Sequence, residues 1–459
     1  MFAATLSRWT MSYFAAALIF LVLGEIMMVL GYGYPVSALE APETLALVHV
    51  VVLGWLSLLM TGALLQFVPV LVGQPLSFPS VALPALLFLI AGIAGLTFGF
   101  VSLSGAIDLP VTLLPIGAAF SIVGLSALGF AFTATLWHAR PLPLPARFVA
   151  VGLAALFGTM LLGGVYAGVL SGFVDAESAI DLTIEGVSLH ASLGLCGWLS
   201  FTTMGVSYRL LTMFMLSPDK EQTSSRLVFG LGALCLGLLA AEVPVILVGA
   251  LSRTPLLLLA VGSGAAVVAI YIGDILRIYR ERRRKAIELN SRASIGAFAS
   301  LIAATALFVA LLAVGRLDAG SGAVIYLVAF GWLTGMGLAQ LYKIVPFMTW
   351  LECYGPALGR RPTPRVQDLV VEVSALRWFR LYYLTVALGT LALLIGSAVL
   401  FRFASLGQLI AVNALILEFV QTRRLINVPA ELRLPDGLVR PGLFLPSIPH
   451  GGSHEPRSL

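Results

Sequence analysis

Few side chains in this sequence could do chemistry, and those few sit where such groups are costly. Of five histidines, His49 heads the apolar stretch HVVVLGWLSLLMTGALLQFVPVLVG and His190 heads another, HASLGLCGWLSFTTMG. An imidazole inside such a run faces the protein interior and needs a partner. It either bonds a neighbouring helix as a neutral ring or ligates iron or copper, which imidazole suits. His49 stands five residues before a Gly-Trp pair and His190 seven before another. On that offset the two rings are expected to leave different helical faces and to serve different ligands.

Glu25 and Glu242 also lie deep in apolar sequence, where a carboxylate costs roughly 2.5–3.5 kcal/mol on insertion scales. Each is read as a metal ligand, a support for one, a proton relay, or a neutral acid bonded to a carbonyl. Glu242, two residues before Pro244, is ranked first. Gln66, Arg209 and Lys343 each stand twelve residues after the glycine of a Gly-Trp-Leu-Ser/Thr motif. Long basic side chains there are expected to snorkel to the headgroups, with a polar mouth for protons or anions as the alternative. Tyr326 is read as an interfacial anchor, or as a phenolate ligand of ferric haem. Cys196, Cys235 and Cys353 have no metal-binding spacing. No phosphate-binding glycine loop occurs, and no serine or cysteine nucleophile has a histidine at matching depth. The tail histidines His450 and His454 are assigned no role, and neither is His138.

These groups are positioned by helices in lipid. The 459 residues are 59% hydrophobic and 11% charged, against about 25% charged in soluble domains. A bilayer core of ~30 Å asks for about 20 apolar residues per helix. Twelve such runs are expected, at 13–33, 44–72, 80–103, 109–137, 146–171, 184–214, 226–251, 255–279, 294–315, 323–350, 380–401 and 405–427. Residues 1–427 then form one membrane domain and 428–459 a cytoplasmic tail. The run after Arg8 is too long for a signal-peptide core and reads as the first span. Of 27 Lys and Arg, Arg253, Arg316 and Arg402 fall in odd-to-even loops, and Arg209 and Lys343 fall inside spans. The other 22 cluster at the termini, in the even-to-odd loops and in the span ends that adjoin them, above all in RIYRERRRKAIELNSR. Cytoplasmic loops concentrate such charge, so both termini are expected in the cytoplasm. The excess of base belongs to that topology, and nucleic-acid binding is not expected.

The second, sixth and tenth runs share a pattern: GWLSLLMTGALLQFVP from Gly54, GWLSFTTMGVSYRLLT from Gly197 and GWLTGMGLAQLYKIVP from Gly331. Small residues (Gly62, Gly205, Ala339) recur eight positions on, and Pro69 and Pro346 recur at fifteen. The intervals are 143 and 134 residues, each holding four runs. This reads as a threefold repeat of four helices. Small side chains every eight residues let a neighbour or a flat ligand approach, and the prolines are expected to kink the inner ends.

Twelve helices in three groups of four resemble the haem–copper oxidase catalytic subunit, whose second, sixth and tenth helices carry histidines for haem and copper. The series His49, Gly54, Gly62, Pro69, Gly73 further resembles the first motif of the NnrS family, haem- and copper-containing membrane proteins linked to nitric oxide tolerance. The second histidine stretch resembles that family more loosely. The resemblance implies haem or copper held by His49 and His190, with Glu242 on the helix that carries copper histidines in the oxidases. It also implies nitric oxide or respiratory redox handling with a respiratory electron donor, in the inner membrane of a bacterium. The seventh and tenth runs lack the histidines of a full oxidase set, and Tyr326 stands where His49 stands in the second. Oxygen reduction by the oxidase mechanism is therefore not expected. Two rival readings are a transporter or channel on the same repeat, and a non-catalytic assembly or metal-handling partner of a respiratory enzyme.

Overall fold

The computed structural model describes residues 8–218, 221–249, 252–434, 442–443 and 445. His450 and His454 lie outside them. The described residues form helices and contain no strand. Among the described residues, ten helices are long and apolar enough to cross a membrane. The helical runs over 177–215 and 372–394 coincide with the expected sixth and eleventh spans but fall outside that set. His190 and the serines and threonines of its uncharged middle dilute the first, and Arg377 and Arg380 the second.

The chain begins with α1 (Thr10–Leu30), followed by α2 (Pro42–His49) and α3 (Leu58–Val72). Next come α4 (Ala82–Leu103), α5 (Leu113–His138) and α6 (Leu144–Leu170), then α7 (Glu177–Ser192) and α8 (Thr202–Met215). After them stand α9 (Thr223–Ala240), α10 (Glu242–Val248), α11 (Thr254–Arg280) and α12 (Leu289–Ala313). The last are α13 (Leu317–Tyr326), α14 (Gly335–Tyr354), α15 (Glu372–Leu394) and α16 (Ala398–Arg423). The expected seventh span is broken at Ala241, so Glu242 opens a separate short helix. The long connector before α15 holds two short 3₁₀ turns, Gly355–Ala357 and Val366–Leu369.

Between α2 and α3, α7 and α8, and α13 and α14 the helix does not stop. It widens into π-helix over Val50–Ser57, Leu193–Phe201 and Leu327–Thr334, the three Gly-Trp-Leu-Ser/Thr motifs. Runs of π-helix are rare and are frequent at functional sites. Each widened segment packs against the preceding long helix: α1, α6 and α12 respectively. Glycine permits that approach. A Cβ on Gly54 would lie 2.7 Å from the Phe20 ring, on Gly197 2.6 Å from Ala155 and on Gly331 2.6 Å from Ser300. The close neighbour is thus protein, not a flat ligand. The remaining long helices pair as α4 with α5, α9 with α11 and α15 with α16.

The three motif tryptophans are buried in the centre and joined head to tail. The indole N–H of Trp55 donates to Thr334 Oγ1 at 2.8 Å, Trp198 to Ser57 Oγ at 3.1 Å, and Trp332 to Ser200 Oγ at 3.2 Å. Each donor is the second residue of its motif and each acceptor the fourth of another. The three bonds close a ring. Around it, 78% of the most apolar 18-residue stretch of the helix over 317–357 is buried, against 17% of that in α11, which presents apolar side chains outward, as lipid contact requires.

Candidate metal centre

His49 ends α2 and His190 lies near the end of α7, each just before a π-helical segment. Their ring centres are 6.4 Å apart and their planes 29° from parallel. The two rings, expected on separate faces, come together across the helices. A single ion bonded at about 2 Å to one nitrogen of each imidazole requires ring centres roughly 6 Å apart, so the spacing fits one shared ion.

Both rings are oriented by backbone. His49 Nδ1 lies 2.7 Å from the carbonyl of Leu45, one turn earlier, and His190 Nδ1 lies 3.1 Å from the carbonyl of Thr159 on α6. A carbonyl only accepts, so each Nδ1 carries the proton and each Nε2 keeps its lone pair. Metal-bound histidines are held in this way by an outer acceptor. Phe100 packs on His49 at 5.0 Å and Tyr166 on His190 at 5.6 Å between ring centres. Gly163 makes room for His190: a Cβ there would stand 3.0 Å from its Cε1. Thr159, Gly163 and Tyr166 follow one another at i, i+4 and i+7, so one face of α6 builds the wall behind this ring.

Glu242, the carboxylate ranked first, is taken up by an ion pair. Its carboxylate is buried and receives the Arg253 guanidinium at 2.8 Å, while Arg253 also reaches the Glu185 carboxylate at 3.2 Å. Arg253 likewise donates to the Glu185 carbonyl at 3.3 Å. The loop cation thus folds back and joins α7 to α10. Among the described residues no three His, Cys, Asp or Glu side chains converge as a metal cluster. The candidate donors that the structure brings together are the two imidazoles.

The other polar residues are placed elsewhere. Glu25 and Gln408 are fully buried, and the Gln408 amide donates to Glu25 Oε1 at 3.1 Å. Tyr326 is buried as well and donates to Gln408 Oε1 at 2.6 Å. It is an interior hydrogen-bond donor, not an interfacial anchor. Gln66 is buried and donates to Thr10 at 2.7 Å. Lys343 pairs with Glu288 at 2.6 Å instead of extending to headgroups, and Arg284 approaches the same carboxylate. Arg209 is half-buried. Gln66 and Lys343 are thus each committed to a neighbour and not to a common mouth.

Four participants escaped the sequence reading: Arg253, Tyr166, Gln408 and Asp274. Arg253 reads as a loop charge, and Tyr166 and Gln408 are neutral residues without a pattern. Asp274, three residues before Arg277, reads as an exposed helical ion pair, yet it is 4% exposed. The chain matches no family model, and no curated protein matches it.

Proposed function

We propose that this protein is a membrane metalloprotein that holds copper or haem iron between His49 and His190. In this reading it is a relative of haem–copper oxidase subunit I, nearest to NnrS-like proteins. The observation that carries the proposal is the facing imidazole pair, with both Nδ1–H groups tied to carbonyls. Two imidazoles from different helices suit copper or haem iron. The three π-helical motifs, their matching neighbours and the closed tryptophan ring support a threefold set of four helices, twelve spans in all. The cation-rich loops support an orientation with both termini in the cytoplasm, and the resemblance suggests the inner membrane of a bacterium.

A metal ion held there by His49 and His190 would supply one-electron chemistry toward a small diatomic ligand such as nitric oxide. The protein's own residues do the rest. Leu45 and Thr159 fix the ring orientations, and Phe100 and Tyr166 shield the imidazoles; electrons would come from a separate respiratory donor. Two ligands fall short of the histidine set of an oxygen-reducing oxidase, so the role is handling of a redox-active small molecule.

The test is an absorption spectrum with metal analysis on protein purified from cells supplied with haem and copper. A Soret band or stoichiometric copper is expected. Colourless, metal-free protein overturns the proposal.

A further inference from the structure

The helix α11 runs from Thr254 to Arg280, 27 residues. At 1.5 Å per residue it is about 40 Å long, enough to cross a hydrocarbon core of about 30 Å and reach both headgroup layers. Leu276, 51% exposed, faces outward one turn before Arg280. The end of α11 and the loop that follows it therefore stand at the level of the lipid phosphates.

The cations of this segment divide into two sets. One set is spent on building the loop. Arg277 lies 3.4 Å from the buried Asp274, and Arg284 pairs with Glu288. Glu288 also receives Lys343 of α14 at 2.6 Å and the Gln367 amide of the connector at 3.0 Å. The backbone N–H of Arg284 donates to the Met215 carbonyl at the end of α8, at 3.3 Å. Tyr279 donates its hydroxyl to the Ser291 carbonyl on α12, and its own carbonyl accepts from Arg282 at 2.7 Å. The loop is thus tied to α8, α12, α14 and the connector.

The other set is Arg280, Arg282, Arg283 and Lys285, all exposed. Among the described residues none of these four is in an ion pair. Glu281, the one acid within 280–285, lines a cavity with Arg277 and Tyr208 between α8 and α11.

We infer that the end of α11 and the loop after it form a binding site for anionic phospholipids, whose phosphates are held by Arg280, Arg282, Arg283 and Lys285. A guanidinium offers a phosphate two parallel hydrogen bonds. A loop already fixed by its inward bonds has little freedom left to lose on binding. The level of the site favours a lipid over an acidic protein, because the cations begin where a lipid-facing helix ends. The site does not depend on which ion His49 and His190 bind.

The intact protein in detergent, titrated with short-chain phosphatidylglycerol or phosphatidylcholine and read by native mass spectrometry, tests this. Phosphatidylglycerol should be retained in preference. Each cation near an anionic surface contributes about fivefold, so Arg283→Gln with Lys285→Gln should weaken phosphatidylglycerol binding about 25-fold and leave phosphatidylcholine unchanged. Both side chains lie outside the inward set, so the loop should keep its fold. If the double variant does not fold, salt decides on the wild type: raising ionic strength should weaken phosphatidylglycerol alone. Equal retention of the two lipids overturns the inference, as does unchanged affinity in the folded double variant or at high salt. Displacement of phosphatidylglycerol by millimolar inorganic phosphate would mark a small-anion site and overturns it too.

Discussion

Arg253 holds the buried carboxylate of Glu242 at 2.8 Å while 24% of its own side chain remains exposed. The pair ties the short helix α10 to α7, because the same guanidinium also bonds Glu185. Glu242 is therefore a structural anion, and a metal bound by the histidines should not sense its charge as a ligand.

Glu242→Gln should leave metal content and spectrum unchanged and lower thermal stability. Breaking a buried pair by removing one partner costs about 3–5 kcal/mol, and partial exposure of Arg253 reduces this to roughly 1–3 kcal/mol. Melting in detergent, followed by size-exclusion recovery, measures the loss. Combining it with Arg253→Met should recover part of it. A loss of metal in Glu242→Gln with unchanged melting would return Glu242 to the site.

The tryptophan ring predicts equivalence. Trp55→Phe, Trp198→Phe and Trp332→Phe each remove one interhelical bond, worth about 0.6–1.7 kcal/mol in membrane proteins. Ser57→Ala should cost the same as Trp198→Phe, and the double variant little more, since both delete one bond. Unequal costs, or additive losses in that double variant, would show that the indoles act through packing alone.

Much of this was legible in the sequence and some was not, for geometric reasons. The motif glycines and tryptophans stood out because all three copies share one register. Residues in one register on helices arranged around an axis point in the same rotational sense, so they join head to tail in a ring, as the tryptophans do. Two adjacent helices can meet face to face only if one points clockwise and the other anticlockwise. The offset of two residues between His49 and His190 is about 200° of an α-helix. What read as separation is the condition for their meeting. The π-helical widening was not legible, because the apolar sequence of these motifs is equally compatible with α-helix. Arg253 and Tyr326 were misplaced because hydropathy reports depth along a helix and not the partner across it.

Reporter fusions test the orientation. Fusions after His138, Lys285 and Arg361 should report cytoplasm, and those after Phe173 and Gly320 the opposite side. The basis is the clustering of Lys and Arg between the even and odd helices. Reversal at Lys285 would overturn the orientation assigned here.

The imidazole pair gives the most discriminating prediction. If one ion is shared, His49→Ala and His190→Ala should each abolish binding, because removal of either ligand leaves a single imidazole. If each ring serves its own ion or haem, each single variant should retain half. Gly163→Ala leaves both ligands in place but puts a methyl group 3.0 Å from His190 Cε1, so the ring must shift. Second-shell changes typically cost 10–100-fold in metal affinity, and a loss of about that size is expected for Gly163→Ala. A competing chelator titration on protein of unchanged melting temperature measures it. Wild-type affinity in Gly163→Ala would mean that the placement of His190 against α6 does not set the site.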